Sequence, residues 1–307
     1  MKRFLSNAFR VMGGCPLIAA VSLTCLGEEE SFKTDAYLIE PGQPARKIHL
    51  LDGGGNTVRY REREGAGDEI EIALGAGAAV FVCEPPEFAE AMDLFQGRKY
   101  QEAKIQFGQV KQRHEPIENM ADSYAMLAAF YEMECFRKLG DLKGLAAALQ
   151  DIPKATLTRE WQLRQLELYV LWDAVRTENW VRLEDLAKER LNVKLSGDQR
   201  AQVAYCHGLA LEGLKRPREA LPPYHVALTA GAGAAEDVAR KAALRILSIY
   251  HDDPEVRQAL EAREKKVGKC DPLAEAKLSE ATAVAALFKE FLGADSPLPK
   301  QFEGFLK

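Results

Sequence analysis

The chain has 307 residues, 47% of them apolar, which is an ordinary budget for one large or two smaller globular domains. Its 41 Lys and Arg against 46 Asp and Glu leave a net charge of −5. That balance speaks against a nucleic-acid-binding surface, which needs clustered positive charge. The longest basic cluster, "REKKVGK" at 263–269, is short, flanked by acids, and reads as a solvated helix end.

The first 27 residues differ from the rest. Lys2, Arg3 and Arg10 precede an uncharged run from Pro16 to Gly27, with small residues at Cys25 and Gly27 and "EEE" directly after. A basic start, a short apolar run and a small-residue exit are the layout of a secretory signal peptide over 1–27. The run is too short for a membrane span. The expectation is a periplasmic or secreted protein with no integral membrane span after signal removal, or a cytoplasmic one if the segment is not a signal. Cys83, Cys135, Cys206 and Cys270 are each more than fifty residues from the next. With no Cys-x-x-Cys and no His at ligand spacing, they read as buried free thiols, not as a metal site.

From Asp35 to Cys83 the apolar period is two. Ile48 and Leu50 share one face, as do Val58 and Tyr60, and Ile70, Ile72 and Leu74, with Arg59, Arg61, Glu69 and Glu71 opposite. Pro41-Gly42, Asp52–Asn56 and Gly65–Asp68 separate the runs with turn-forming residues. The pattern predicts a small β module over 35–83, a meander of four or five strands. It resembles a small SH3- or Sm-like barrel. The glycines of "DGGGNT" read as a hairpin turn, because a phosphate-binding loop opens a helix and here a strand follows.

From Pro86 the period becomes helical, and one spacing is written twice. Ala91 and Ala103 lie twelve apart, followed by Phe107 and Val110; Gly208 and Ala220 lie twelve apart, followed by Tyr224 and Ala227. Small residues let two antiparallel helices approach, and a ring one turn later on the same face fills the gap beside them. Weaker copies run through Leu145, Leu149 and Ile152 and through Leu183 and Ala187; a fifth starts at "EDVARKAALRILSIY". This spacing resembles the tetratricopeptide repeat family. The equivalent positions 103, 145, 183 and 220 are 42, 38 and 37 apart, against about 34 in that family.

The resemblance implies an α-solenoid over 86–293, so the fold class expected is α+β: a small β meander or barrel, then stacked helical hairpins. Leu278, Ala281, Ala285, Phe288 and Leu292 predict a C-terminal capping helix, and 294–307 a proline-broken tail whose Phe302, Phe305 and Leu306 either dock back onto the solenoid or form a short interaction motif. The resemblance also implies a concave groove that binds peptides. Carried over position by position, it assigns Phe130, Glu134 and Arg137, then Leu168, Trp172 and Arg176, then Tyr205, Leu209 and Glu212 to that groove, with another protein or peptide segment as occupant. Aromatic anchors among charges suit peptide recognition.

No catalytic motif stands beside these repeats. His49, His114, His207, His225 and His251 lack ligand spacing, and no nucleophile has a neighbouring base. No catalytic residue, metal or cofactor is therefore assigned. The expectation is a non-enzymatic scaffold or adaptor of the cell envelope. The alternative is an envelope enzyme or regulatory subunit with a site between the β module and the solenoid; shifted ionisable groups in that cleft would favour it.

Overall fold

The computed structural model describes residues 32–64, 67–152, 154–230, 233, 235–265, 271–293 and 296–307. The signal-like segment and Cys270 lie outside them. Five strands come first: β1 Thr34–Ile39, β2 Arg46–Gly54, β3 Thr57–Arg61, β4 Ile70–Ala73 and β5 Ala79–Val82. They form one antiparallel sheet in the order β4-β3-β2-β1-β5. The meander therefore covers β1 to β4, and β5 returns to the free edge of β1, pairing Ala36 with Val82 and Tyr37 with Phe81. The alternation has its physical outcome: Ala36, Leu38, Ile48, Leu50, Val58 and Tyr60 are buried on one face. Ile117 and Met120 complete this core. They follow the second helix of the chain, so the helical part itself covers the sheet. Gly53 lets this contact close, since a Cβ there would meet Met120 Sδ at 2.3 Å and push the Met120 side chain aside.

The helical part is a series of hairpins: α1 Pro86–Gln96 with α2 Tyr100–Arg113, α3 Tyr124–Leu139 with α4 Leu142–Asp151, α5 Glu160–Arg176 with α6 Trp180–Leu191, α7 Gly197–Gly213 with α8 Pro217–Ala230, and α9 Glu236–Asp252 with α10 Pro254–Lys265. The chain is thus α+β, a five-stranded antiparallel sheet followed by helical hairpins. The twelve-residue interval recurs in all five. Ala91 and Ala103, Met133 and Leu145, Leu171 and Leu183, and Leu247 and Ala259 are all buried. In the fourth hairpin Gly208 faces buried Ala220, and a Cβ on Gly208 would sit 2.3 Å from the Tyr224 ring. Phe107, Val110, Tyr224 and Ala227 are buried as well. Phe107 stacks on Tyr131 of α3 at 5.4 Å, bridging the first hairpin to the second.

A second repeat lies in the turns. Arg98, Gly140, Glu178 and Lys215 have φ of 62°, 78°, 53° and 64°, each five residues before the second member of its buried pair. Each is followed by a helix-closing bond from the next N–H to a carbonyl five residues back: Lys99 to Leu94, Asp141 to Phe136, Asn179 to Ala174 and Arg216 to Leu211, at 2.8–3.0 Å. Asp141 and Asn179 then cap the next helix. The fifth turn cannot use this device, because Pro254 stands at its left-handed position. Three of the four left-handed residues carry a Cβ, a conformation that costs about 1 kcal/mol. Lys215→Gly should therefore raise stability by up to about 1 kcal/mol, read as a higher urea midpoint at constant m.

Helix α11, Pro272–Leu287, continues into a π turn at Phe288–Leu292 and lies on α9 and α10. Leu278, Ala281, Ala285, Phe288 and Leu292 form its buried stripe. The tail folds into a 3-10 segment, Lys300–Leu306, that docks: Phe302 and Phe305 are buried, and Arg263 donates to the Gly304 carbonyl at 3.0 Å. No helix among the described residues is long and apolar enough to cross a membrane. Cys135 and Cys206 are buried thiols, each pushed up to about 12 by desolvation.

Candidate functional site

The first helices of the hairpins, α3, α5, α7 and α9, face one another on the inner side of the array. Tyr169 of α5 donates from its hydroxyl to Glu134 of α3, and Gln165 of α5 exchanges carboxamide bonds of 2.9 and 3.1 Å with Gln202 of α7. Trp172 Nε1 also donates to Gln202 Oε1 at 3.1 Å. The array then curls enough for α9 to reach back to α3. Arg137 Nη1 lies 3.1 Å from Asp237 Oδ2, and Lys138 Nζ lies 3.1 Å from Asp237 Oδ1, contacts made across a hundred residues of chain. Arg98, in the first hairpin turn, pairs with Glu236.

This clasp is built from buried charge. Arg137 is 3% exposed and also bonds both oxygens of Glu134. Burial alone would lower its pKa; Glu134 and Asp237 outweigh it and hold the guanidinium charged. Burial would raise the Asp237 pKa, but Arg137, Lys138 and Lys241 outweigh it and hold the carboxyl well below its ordinary range. Burial drives the Tyr169 hydroxyl pKa far up, so it stays a donor to Glu134.

Inside the clasp remains a cavity of about 360 Å³. Phe95, Phe130, Tyr131 and Trp161 give it an aromatic lining; Glu134, Arg137, Lys138, Gln165, Asp198, Gln199 and Gln202 supply polar walls. Phe130 meets Trp161 edge-on at 5.1 Å, and Trp161 is 46% exposed, so its ring stands at the mouth. Among the described residues no group of three His, Cys, Asp or Glu side chains is placed to hold a metal.

Of the nine residues that the sequence assigns to a groove, the structure brings Phe130, Glu134 and Arg137 to this cavity. Leu168, Trp172 and Tyr205 are buried in the core between α5 and α7, and Leu209 is half-buried against it. Arg176 is exposed and pairs with Asp173; Glu212 pairs with Arg245 of α9. The missed residues lie a turn or two nearer the helix starts, at Trp161, Gln165, Gln199 and Gln202. Their signal is in the sequence: Gln162 and Gln165 recur as Gln199 and Gln202, 37 residues on, the interval that separates Leu183 from Ala220. All four glutamines are no more than 5% exposed on otherwise apolar stripes, and Gln165, Gln199 and Gln202 give the cavity its polar side.

A second cleft, about 520 Å³, lies between the sheet and the start of the helices. Asp35, His49 and Cys83 line it from one row across β1, β2 and the end of β5; His49 Nδ1 is 2.8 Å from Asp35 Oδ1, and Cys83 N–H donates to the Asp35 carbonyl at 2.8 Å. His114, 2% exposed, lines it with Glu87, and burial lowers its pKa. Desolvation raises that of the Cys83 thiol, which stays protonated and a poor nucleophile at neutral pH.

No family model matches the chain, and no match is found for it among curated proteins or solved structures.

Proposed function

We propose that the chain is a tetratricopeptide-like, non-enzymatic scaffold that holds a segment of a partner protein against its concave face, and that it works in the cell envelope. The observation that carries this reading is the inner cavity: aromatic rings below, carboxamides and charges around, and one tryptophan at the mouth. An apolar or aromatic side chain of a partner fits such a lining, and the glutamines offer hydrogen bonds to its backbone. The clasp narrows the concave face, so the reading is of one anchored side chain with flanking contacts, not of a long peptide lying in an open trough. Placement in the envelope rests on the composition of the first 27 residues.

The test is partner capture by the full chain from envelope extracts, wild type against Trp161→Ala. Trp161 is half in solvent, so its loss leaves the core intact. The partner retained by the wild type should be lost from the variant at unchanged Tm, whereas identical capture would remove the cavity from the account. A second reading, an enzyme or regulatory subunit working at the sheet–helix cleft, is favoured by one observation, the titratable row of Asp35, His49 and Cys83 beside His114. The protonated state of Cys83 weighs against nucleophilic chemistry there.

A further inference from the structure

The aromatic cavity has one unbalanced charge in its lining, and that charge is negative. Both cations of the lining are engaged: Arg137 by Glu134 and Asp237, Lys138 by Asp237. Lys138 Nζ also stands 5.7 Å from the centre of the Phe95 ring. Of the two carboxylates, Glu134 accepts from Arg137 and Tyr169. Asp198 differs. It is half-buried, pairs with no cation among the described residues, and accepts a bond from the Ser196 hydroxyl. Ser196 stands at the cap of α7, yet its side chain makes no capping bond to that helix and turns to the carboxylate instead. Trp161 lies in the first turn of α5 as Asp198 lies in the first turn of α7. Arg164 of α5, paired with Glu160, donates to the Lys194 carbonyl just before α7 at 3.5 Å, so the two helix starts are neighbours. The indole of Trp161 is half in solvent, and no described cation stands over it, whereas Arg137 stands over Trp172.

Resting on the scaffold reading above, we infer that the partner segment carries a basic side chain next to its apolar or aromatic anchor, and that Trp161 and Asp198 receive it. A guanidinium or ammonium group at the mouth gains the indole and the carboxylate together, in a place partly shielded from water. An acidic neighbour to the anchor would meet Asp198 as a like charge. The net charge of −5 draws a basic segment toward the chain in the same sense. An acid in the first turn of α7 also suits the helix dipole. That role alone would show as stability and would leave the choice of peptide unaffected, so the two are separable.

The experiment is selection of short random peptides displayed on phage against the full chain, run in parallel on the wild type, Trp161→Ala and Asp198→Lys. The wild type should enrich peptides with Lys or Arg beside an aromatic or large apolar residue. Asp198→Lys should enrich the same anchors with Asp or Glu in that place. By calorimetry below the Tm of each variant, a selected peptide should bind Asp198→Asn about fivefold more weakly than the wild type. It should bind Asp185→Asn, an equal charge change on an exposed position of α6, as the wild type does. Enriched anchors without a basic neighbour, or equal affinity for Asp198→Asn and the wild type, would overturn this inference and leave the anchor reading standing. A wild type that enriches nothing beyond Trp161→Ala would overturn both.

Discussion

Replacing Asp237 with Asn should cost the folded chain about 3–5 kcal/mol, the scale for removing one partner of a buried ion pair. The substitution keeps the shape and removes the charge, leaving Arg137, Lys138 and Lys241 close together with Glu134 as the remaining carboxylate beside Arg137. A urea midpoint measured at pH 7, with m unchanged, reads the loss. The pH dependence has a definite sign. The Asp237 pKa is depressed below 3.8 in the folded chain, so its contribution is complete above that ordinary value and is lost as pH falls through the folded-state value. The gap between wild type and Asp237→Asn should hold constant from about pH 5 to 8 and narrow only in stronger acid. An equally large gap at pH 2 would mean that Asp237 is not the charged member of the clasp. The Arg98–Glu236 pair, with Arg98 43% exposed, is the internal comparison, and breaking it should cost under about 1 kcal/mol.

Phe107→Ala should cost about 3–5 kcal/mol, the range for truncating a buried aromatic. Its ring is fully buried and meets Phe88 at 5.7 Å, Phe95 at 6.3 Å and Tyr131 at 5.4 Å. Tyr131 also lines the inner cavity, so the void opens under the site, and loss of stability should be accompanied by weaker partner capture. Chemical denaturation checks the first effect and capture at a temperature well below the variant's Tm the second. A loss below about 1 kcal/mol would show that this ring does not join the first two hairpins.

Local periodicity carried much of the architecture. Alternation in "NTVRYR" and "EIEIAL" is visible because sheet faces differ in solvent exposure, and the twelve-residue interval is visible because two helices must meet at one height in every hairpin. Contacts between distant segments left no comparable mark. Nothing in "AAVFV" says that β5 returns beside β1, since either neighbour would bury the same residues. The Arg137–Asp237 contact spans a hundred positions and depends on the summed rotation of three hairpins. That rotation also explains the displaced groove. Positions such as Trp172 and Tyr205 face inward as the repeat pattern implies, but the curl packs them against one another at 6.0 Å, and the aromatic cavity lies toward Trp161 and Gln199. The recurring glutamine pairs were legible, because a carboxamide on an apolar stripe is costly to bury without a partner; Gln165 and Gln202 bond each other, while Gln162 has no hydrogen-bond partner among the described residues.

The inner cavity exists because the hairpins curl until α9 meets α3, and a double-mutant cycle between Arg137→Met and Asp237→Asn measures that contact across the hundred intervening residues. Direct contact predicts a coupling free energy of about 1.5–3 kcal/mol in urea unfolding at pH 7. Effects that add to within about 0.5 kcal/mol would contradict it, because residues apart in space carry no such term.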